Sequence, residues 1–182
     1  MEHYSDEKLL SMFRNESSRN YAYNLMVRKY QKKLYWHIRR MVIVHEDADD
    51  VVQITLIKAW KGLPNFKEEA KLYTWLYRIA TNESFTFLSN KRKCFFIPMV
   101  DVERELSQAI ESDEHYTGDE IQLKLQKAIL TLPPKQRMVF NMKYYEEMKY
   151  EEMAEILSTS VGALKASYHH AIKKIEISIK ED

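Results

Sequence analysis

The chain is poor in the residues that punctuate or crosslink a fold: its 182 residues include one cysteine, three glycines and four prolines. A single thiol, Cys94, excludes an intramolecular disulfide and a cysteine-rich zinc site. There is no Gly-rich phosphate loop and no His-Glu-x-x-His pair. None of the six histidines follows a glutamate by three residues, the pairing used by carboxylate-bridged metal sites in helical bundles. Glu146-Glu147, Glu151-Glu152 and His169-His170 are thus candidate acid, base or ligand groups without a catalytic setting, and no nucleophile stands in a recognisable one. These absences predict a non-enzyme with no cofactor, no metal and no small-molecule substrate. No apolar run approaches the roughly 20 residues of a membrane span. The opening Met1-Glu2-His3-Tyr4-Ser5-Asp6-Glu7 is polar and acidic where a signal peptide is basic and then apolar, which predicts a cytoplasmic protein.

What is present suits a folded chain, with 45% apolar and 30% charged residues. The net charge of +1 conceals segregation. Residues 1–93 carry 17 Lys/Arg against 11 Asp/Glu, residues 94–120 carry 1 against 8, and residues 121–182 carry 10 against 8. Two basic ends flank an acidic strap, a distribution that speaks to partners. Between Gly62-Leu63-Pro64, Pro98, Gly118, Pro133-Pro134 and Gly162 the apolar spacing is helical, and no stretch alternates with period two. The fold class expected is all-α: two small helical domains, 1–93 and 119–182, joined by an acidic linker over 94–118 that holds a short helix around Val102 to Ala109.

In the C-terminal part, Pro134 suits the first turn of a helix continuing through Lys135 to Tyr145. Tyr150 to Leu157 follows, then the polar turn Ser158-Thr159-Ser160, whose last residue can cap a helix from Val161. This is a helix-turn-helix pattern. At 100° per residue, Val161, Leu164, Tyr168, Ile172 and Ile175 form the core stripe. The opposite side carries Ala163, Ala166, His170 and Lys173, flanked by Ser167 and Lys174 and by Lys165 and His169, with no acid between Val161 and Ile175. Such a face can enter a major groove without repulsion by phosphates. The competing description is an ordinary amphipathic helix with a solvated basic side.

In the N-terminal part, His45 to Trp60 is expected to be a helix with acids at its positive end and Ala48, Val52, Leu56 and Ala59 as its buried stripe. On the far side Asp50, Gln53, Ile54 and Ile57 lie together, so a second partner must cover them, within the domain or in another protein. After the loop from Lys61 to Phe66, the helix Leu72 to Asn82 interleaves aromatics with Arg78 and Asn82, and Lys91-Arg92-Lys93 lies beyond it. Aromatic faces beside cations suit single-stranded nucleic acid. Trp75 and Tyr77 are also acceptable as core residues.

Four segments, in order and spacing, resemble the extracytoplasmic-function subgroup of bacterial sigma factors. Asp47-Ala48-Asp49-Asp50-Val51-Val52-Gln53 is similar to its acidic helix motif. Thr74-Trp75-Leu76-Tyr77-Arg78-Ile79-Ala80-Thr81-Asn82 resembles its promoter-melting helix. Leu132-Pro133-Pro134-Lys135-Gln136-Arg137 resembles the start of its C-terminal domain, and Ser160-Val161-Gly162-Ala163-Leu164-Lys165 its recognition-helix opening. The resemblance implies a sigma factor that binds core RNA polymerase, directs it to specific promoters and promotes DNA opening. It implies that Asp49, Asp50, Gln53, Ile54 and Ile57 grip a coiled coil of the polymerase. The Gly62–Leu72 loop and following helix, through Asn65, Phe66, Trp75, Arg78 and Asn82, would capture the unpaired minus-ten element. The helix from Val161, with Ser160, Ala163, Lys165, Ala166, Ser167, His169, His170, Lys173 and Lys174, would read the minus-thirty-five duplex. The acidic linker would thread the basic RNA exit path, and an anti-sigma protein is implied as a further partner.

Three positions depart from the family pattern. Ser167 and His170 stand where many relatives carry arginines, which removes the side chains that make bidentate guanine contacts. Ile54 stands where an acid often follows the motif glutamine. A rival reading, a helix-turn-helix regulator that never joins polymerase, accounts for residues 119–182 but leaves the two-faced acidic helix and the aromatic helix without a role.

Overall fold

The structure, a computed structural model, describes residues 4–94, 108–110 and 120–181, and no strand occurs among them. Helix α1 (Asp6–Arg14) is capped by Ser5, whose hydroxyl accepts from the Lys8 amide at 3.3 Å. Helix α2 (Arg19–Val42) buries Ala22, Met26, Tyr30, Leu34 and Ile38, a four-residue spacing that keeps one stripe inward. It stops at Ile43, which has a φ of 67°. A β-branched residue there stores about 1–3 kcal/mol of strain. Ile43 is nevertheless buried, packed with Ile110 and Leu130, so apolar burial offsets that cost.

Helix α3 (His45–Gly62) runs through a 3₁₀ turn (Leu63–Asn65) to α4 (Leu72–Cys94). The inward stripe of α3 is Ala48, Val51, Thr55 and Ala59, while Val52 and Leu56 are only half-buried, a correction to the expected stripe. The reason is that α3 packs on α2 and α4 at once, which turns its most buried line by about one residue. Helix α1 lies along α2, and α2, α3 and α4 pack mutually.

Helices α5 (Glu120–Leu130), α6 (Pro134–Tyr144), α7 (Tyr150–Leu157) and α8 (Val161–Glu181) form the second group, with α8 packed on the other three. Pro134 sits in the first turn of α6. Between α7 and α8 the chain turns at Ser158, left-handed at φ 50°, and the Ser160 hydroxyl accepts from the Ala163 amide at 3.3 Å. The α7–turn–α8 unit is therefore a capped helix-turn-helix. Of the expected linker over 94–118, Cys94 instead ends α4, and residues 108–110 are helical with Ile110 fully buried; the rest, including 102–107 of the helix expected around Val102 to Ala109, lies outside the described residues. The two groups also touch: α6 packs on α2 and α7 on α4, and one apolar cluster runs from Leu34 and Leu76 through Met138, Met142, Met153 and Leu164. Among the described residues no helix is long and apolar enough to cross a membrane.

Candidate functional site

The outer face of α3 follows from its wheel. With Ala48, Val51, Thr55 and Ala59 turned inward, Asp49, Asp50, Gln53, Ile54 and Ile57 all point to solvent. Ile54 and Ile57 are 42% and 54% exposed, so the internal sandwich that would have covered them is absent among the described residues. Ile54 borders a groove between α3 and α4, lined also by Asp47, Val51, Glu83, Thr86, Phe87, Asn90 and Lys91. The ion pairs Lys58–Glu83 (2.6 Å) and Lys91–Asp47 (3.0 Å) tie the two helices along it. Sequence reasoning missed the α4 wall of this groove. Its signal was Phe87, an aromatic off the Leu76–Ala80–Leu88 stripe. The groove is apolar at Val51, Ile54 and Phe87 and rimmed by paired charges.

The second cluster lies where the 3₁₀ turn meets α4. Asn65 is exposed, Phe66 and Trp75 are half-buried with ring centroids 5.0 Å apart, and the Trp75 indole rests on Gly62. The loop that follows is pinned by an ion pair between Glu68, at φ 59°, and Arg14 of α1. Along α4, Arg78 is half-buried and Asn82 exposed, one turn apart on the same side. Tyr77 belongs to the core, so only Trp75 of the two ambiguous aromatics is available to a ligand. The Tyr77 and Tyr73 rings lie tilted against each other with centroids 4.2 Å apart, and burial pushes both phenols upward in pKa, Tyr73 to about 12. The Arg78 guanidinium donates to the Glu155 carbonyl at 2.7 Å, a contact from the other helical group that the sequence did not suggest.

The third cluster is the outer side of α8. Ser160, Ala163, Lys165, Ala166, His169, His170, Lys173 and Lys174 are exposed, and Ser167 is half-buried. Leu164, Ala171 and Ile175 are fully buried while Val161, Tyr168 and Ile172 are half-buried, so Ala171 joins the expected stripe. Ala171 escaped notice because alanine carries little hydrophobic weight. It permits close approach of the neighbouring helix, and Phe140 stacks on Tyr168 at 5.8 Å beside it. Lys165 lies over the Tyr150 ring at 5.7 Å, and Lys174 donates to Gln136 at 3.3 Å. That leaves Lys173 projecting into solvent.

Residues 26–94 match the family model of Sigma-70 region 2, and residues 122–175 match that of Sigma-70 region 4. The chain is 29% identical over 185 residues to the RNA polymerase sigma-H factor of Pseudomonas aeruginosa, covering 96% of this chain and 94% of that one. It is 27% identical over 160 residues to the ECF RNA polymerase sigma factor SigW of Bacillus subtilis, covering 84% and 86%. In fold it is similar to CnrH, solved in complex with the cytosolic domain of CnrY, with a TM-score of 0.70 at 22% identity over 97% of this chain and 98% of that one. It is likewise similar to the sigma factor RpoE of Bartonella quintana, solved with the anti-sigma factor NepR, with a TM-score of 0.65 at 22% identity over 87% and 97%.

Proposed function

The chain belongs to the sigma-70 family, in its extracytoplasmic-function branch, and from that premise we propose how its surfaces divide the work of transcription initiation. It is an RNA polymerase sigma factor, which binds the core enzyme, directs it to particular promoters and promotes their opening. Residues 1–93 form the domain that docks on polymerase and handles the minus-ten element, 94–118 the linker, and 119–182 the domain that reads the minus-thirty-five element. The face of Asp49, Asp50, Gln53, Ile54 and Ile57 grips the core enzyme, with Phe87 and Asn90 of α4 completing its groove. Asn65, Phe66, Trp75, Arg78 and Asn82 hold the unpaired strand by stacking and by charge. The outer side of α8, from Ser160 to Lys174, enters the major groove. Work on DNA with polymerase places the protein in the cytoplasm and makes it an initiation subunit, with no chemistry of its own to perform.

The observation that carries this division is the pair Ile54 and Ile57, left 42% and 54% exposed on a helix whose opposite side is fully buried. A helix-turn-helix protein acting alone has no use for that surface. The test is in vitro transcription with purified core polymerase and mapped start sites. The factor should create new start sites and bind duplex DNA weakly by itself. Tight, salt-dependent duplex binding without core enzyme, and no new start sites, would favour the stand-alone regulator. An anti-sigma protein is a further partner in this proposal, supported by the complexes in which CnrH and RpoE were solved. Recovery of a protein that blocks transcription by this factor, and not by another sigma factor, checks it.

A further inference from the structure

A cleft of about 500 Å³ opens where α1, the loop before α4 and α7 meet, a volume within the roughly 300–1,000 Å³ of small-molecule sites. Six carboxylates line it, those of Asp6, Glu7, Glu68, Glu69, Glu152 and Glu155, against the single cation Lys71. Arg14 and Lys29 reach it from the edge, pairing with Glu68 and Asp6, and Lys71 faces Glu152 at 3.9 Å. Six acids against these three cations leave the cleft anionic.

Helix dipoles explain only part of the cluster. Asp6 and Glu7 stand in the first turn of α1 and Glu152 in that of α7, where negative charge is favoured. Glu155 lies near the opposite end of α7, where an acid is disfavoured, and Glu69 belongs to no helix. Both are exposed, and neither forms an ion pair among the described residues.

A second and independent feature is Thr74, in the first turn of α4. It lines the same cleft, is 1% exposed, and its hydroxyl has no hydrogen-bond partner among the described residues. The large majority of buried side-chain polar atoms are hydrogen-bonded, so a hydroxyl on the wall of an anionic cleft is open to accept from a ligand's N–H.

The donor set decides the class of ligand. Among the described residues no three carboxylates converge closely enough to hold a metal ion, so the charge is spread along the cleft. Leu10, Phe66 and Leu72 supply apolar wall to it. Separated carboxylates beside apolar wall match ammonium groups separated by methylene segments.

We propose that this cleft binds an aliphatic polyamine, with Glu69 and Glu155 holding ammonium groups and the Thr74 hydroxyl accepting from one of them. The site is distinct from the three faces assigned above, although Phe66 borders both it and the strand-capturing cluster. The test titrates spermidine into the full chain by calorimetry, without DNA or polymerase, so its outcome is independent of those assignments. Butylamine, Mg²⁺ and a tetralysine peptide are compared at matched ionic strength. One spermidine should bind per chain and raise the melting temperature, whereas butylamine and Mg²⁺ should give no binding heat. Glu69→Gln and Glu155→Gln, at exposed residues, should each weaken binding about threefold, as loss of a surface ion pair does. Glu46→Gln combined with Glu176→Gln, which removes two exposed acids outside the cleft, should leave it unchanged. Thr74→Val should weaken it about tenfold, as loss of a hydrogen bond to a charged group does, without lowering the melting temperature, because the hydroxyl has no partner to lose. If Thr74→Val does not fold, the glutamine variants decide. Butylamine or Mg²⁺ binding as tightly as spermidine, tetralysine binding where spermidine does not, unchanged binding in the cleft variants, or an equal loss in the Glu46 and Glu176 control overturns the polyamine site.

Discussion

Gly62 lies so close to the Trp75 indole that a methyl group on it would come within 2.9 Å of Cζ2. The backbone of Gly62 is α-helical, at φ −87°, so alanine meets no torsional penalty there and gains about 1 kcal/mol of helix propensity. The clash falls on a rigid ring that is also packed against Phe66. Gly62→Ala should leave thermal stability nearly unchanged, displace the indole, shift tryptophan emission, and reduce open-complex formation on duplex promoters. Wild-type opening with a shifted emission would separate Trp75 from the melting step.

Ile57→Arg tests the polymerase face. Substitution of a residue 54% exposed should change stability by no more than about 0.5 kcal/mol, yet co-purification with core enzyme should be lost. Val51→Arg, on the buried side of the same helix, should unfold the domain. If Ile57→Arg also unfolds, the face is structural and the assignment fails.

Much of this was legible in the chain for a physical reason. Helix boundaries such as Tyr150–Leu157 and the start at Val161 are written by local capping chemistry, here Ser160, which needs no tertiary partner. The wheel set Ile54 and Ile57 opposite the inward Ala48 and Ala59, but whether a helix of the same domain covered them depended on packing that the sequence left open. What escaped depends on contacts distant in sequence. His37 meets Glu146 across 109 residues, and nothing in either segment marks the other as its partner. The roles of Thr55 in the core of α3 and Ala171 in α8 were hidden because small side chains are buried by their neighbours' shape and not by their own hydrophobicity.

Four tyrosines set an alkaline limit. Burial pushes Tyr23 and Tyr73 up to about 12 and shifts Tyr30 and Tyr77 in the same direction, aided at Tyr30 by the hydrogen bond its hydroxyl donates to Asp6 at 2.7 Å. A raised folded-state pKa means that the folded form keeps its proton longer than the unfolded one. The stabilisation is therefore complete below about pH 10, the ordinary tyrosine value, and is lost as pH rises towards 12. Melting temperature should fall steeply between those limits. Tyr23→Phe, which also removes the hydrogen bond to the Leu56 carbonyl at 2.5 Å, should cost about 1 kcal/mol at neutral pH and flatten that fall. An unchanged alkaline slope in the variant would show that Tyr23 is not among the groups responsible.

The unpaired strand should depend on residues that contribute stacking and charge separately. Trp75→Ala removes a half-buried ring, for which losses of about 1–3 kcal/mol per stacked base are typical, and Arg78→Ala removes a cation. Both, with Asn65→Ala, should slow opening of duplex promoters, and a pre-melted bubble should restore part of the loss. Arg78→Ala should in addition release the Glu155 carbonyl, so its defect should be smaller than its charge suggests. Unaltered opening in all three would remove the strand from this face.

On α8 the cations and the small polar residues should do different work. Lys173 projects to solvent, whereas Lys165 lies over Tyr150 and Lys174 donates to Gln136, so the last two reach phosphates only after giving up a contact within the protein. Each Lys→Ala should weaken promoter binding by a similar factor on every sequence and shallow the salt slope by roughly one unit, with Lys173 the largest effect. His170 is exposed and offers ring nitrogens to base edges; Ser167 is half-buried, which confines its hydroxyl to a short reach. Substituting His170 should therefore change which upstream elements are used, by about 1–3 kcal/mol per altered contact, and substituting Ser167 should do so less. Selection from randomised minus-thirty-five elements, with core enzyme and each variant, separates the groups in one experiment. A lysine variant that rewrites the selected consensus while His170 and Ser167 variants return the wild-type one would reverse the roles, placing base recognition on the cations and leaving the small residues as mere clearance for the groove.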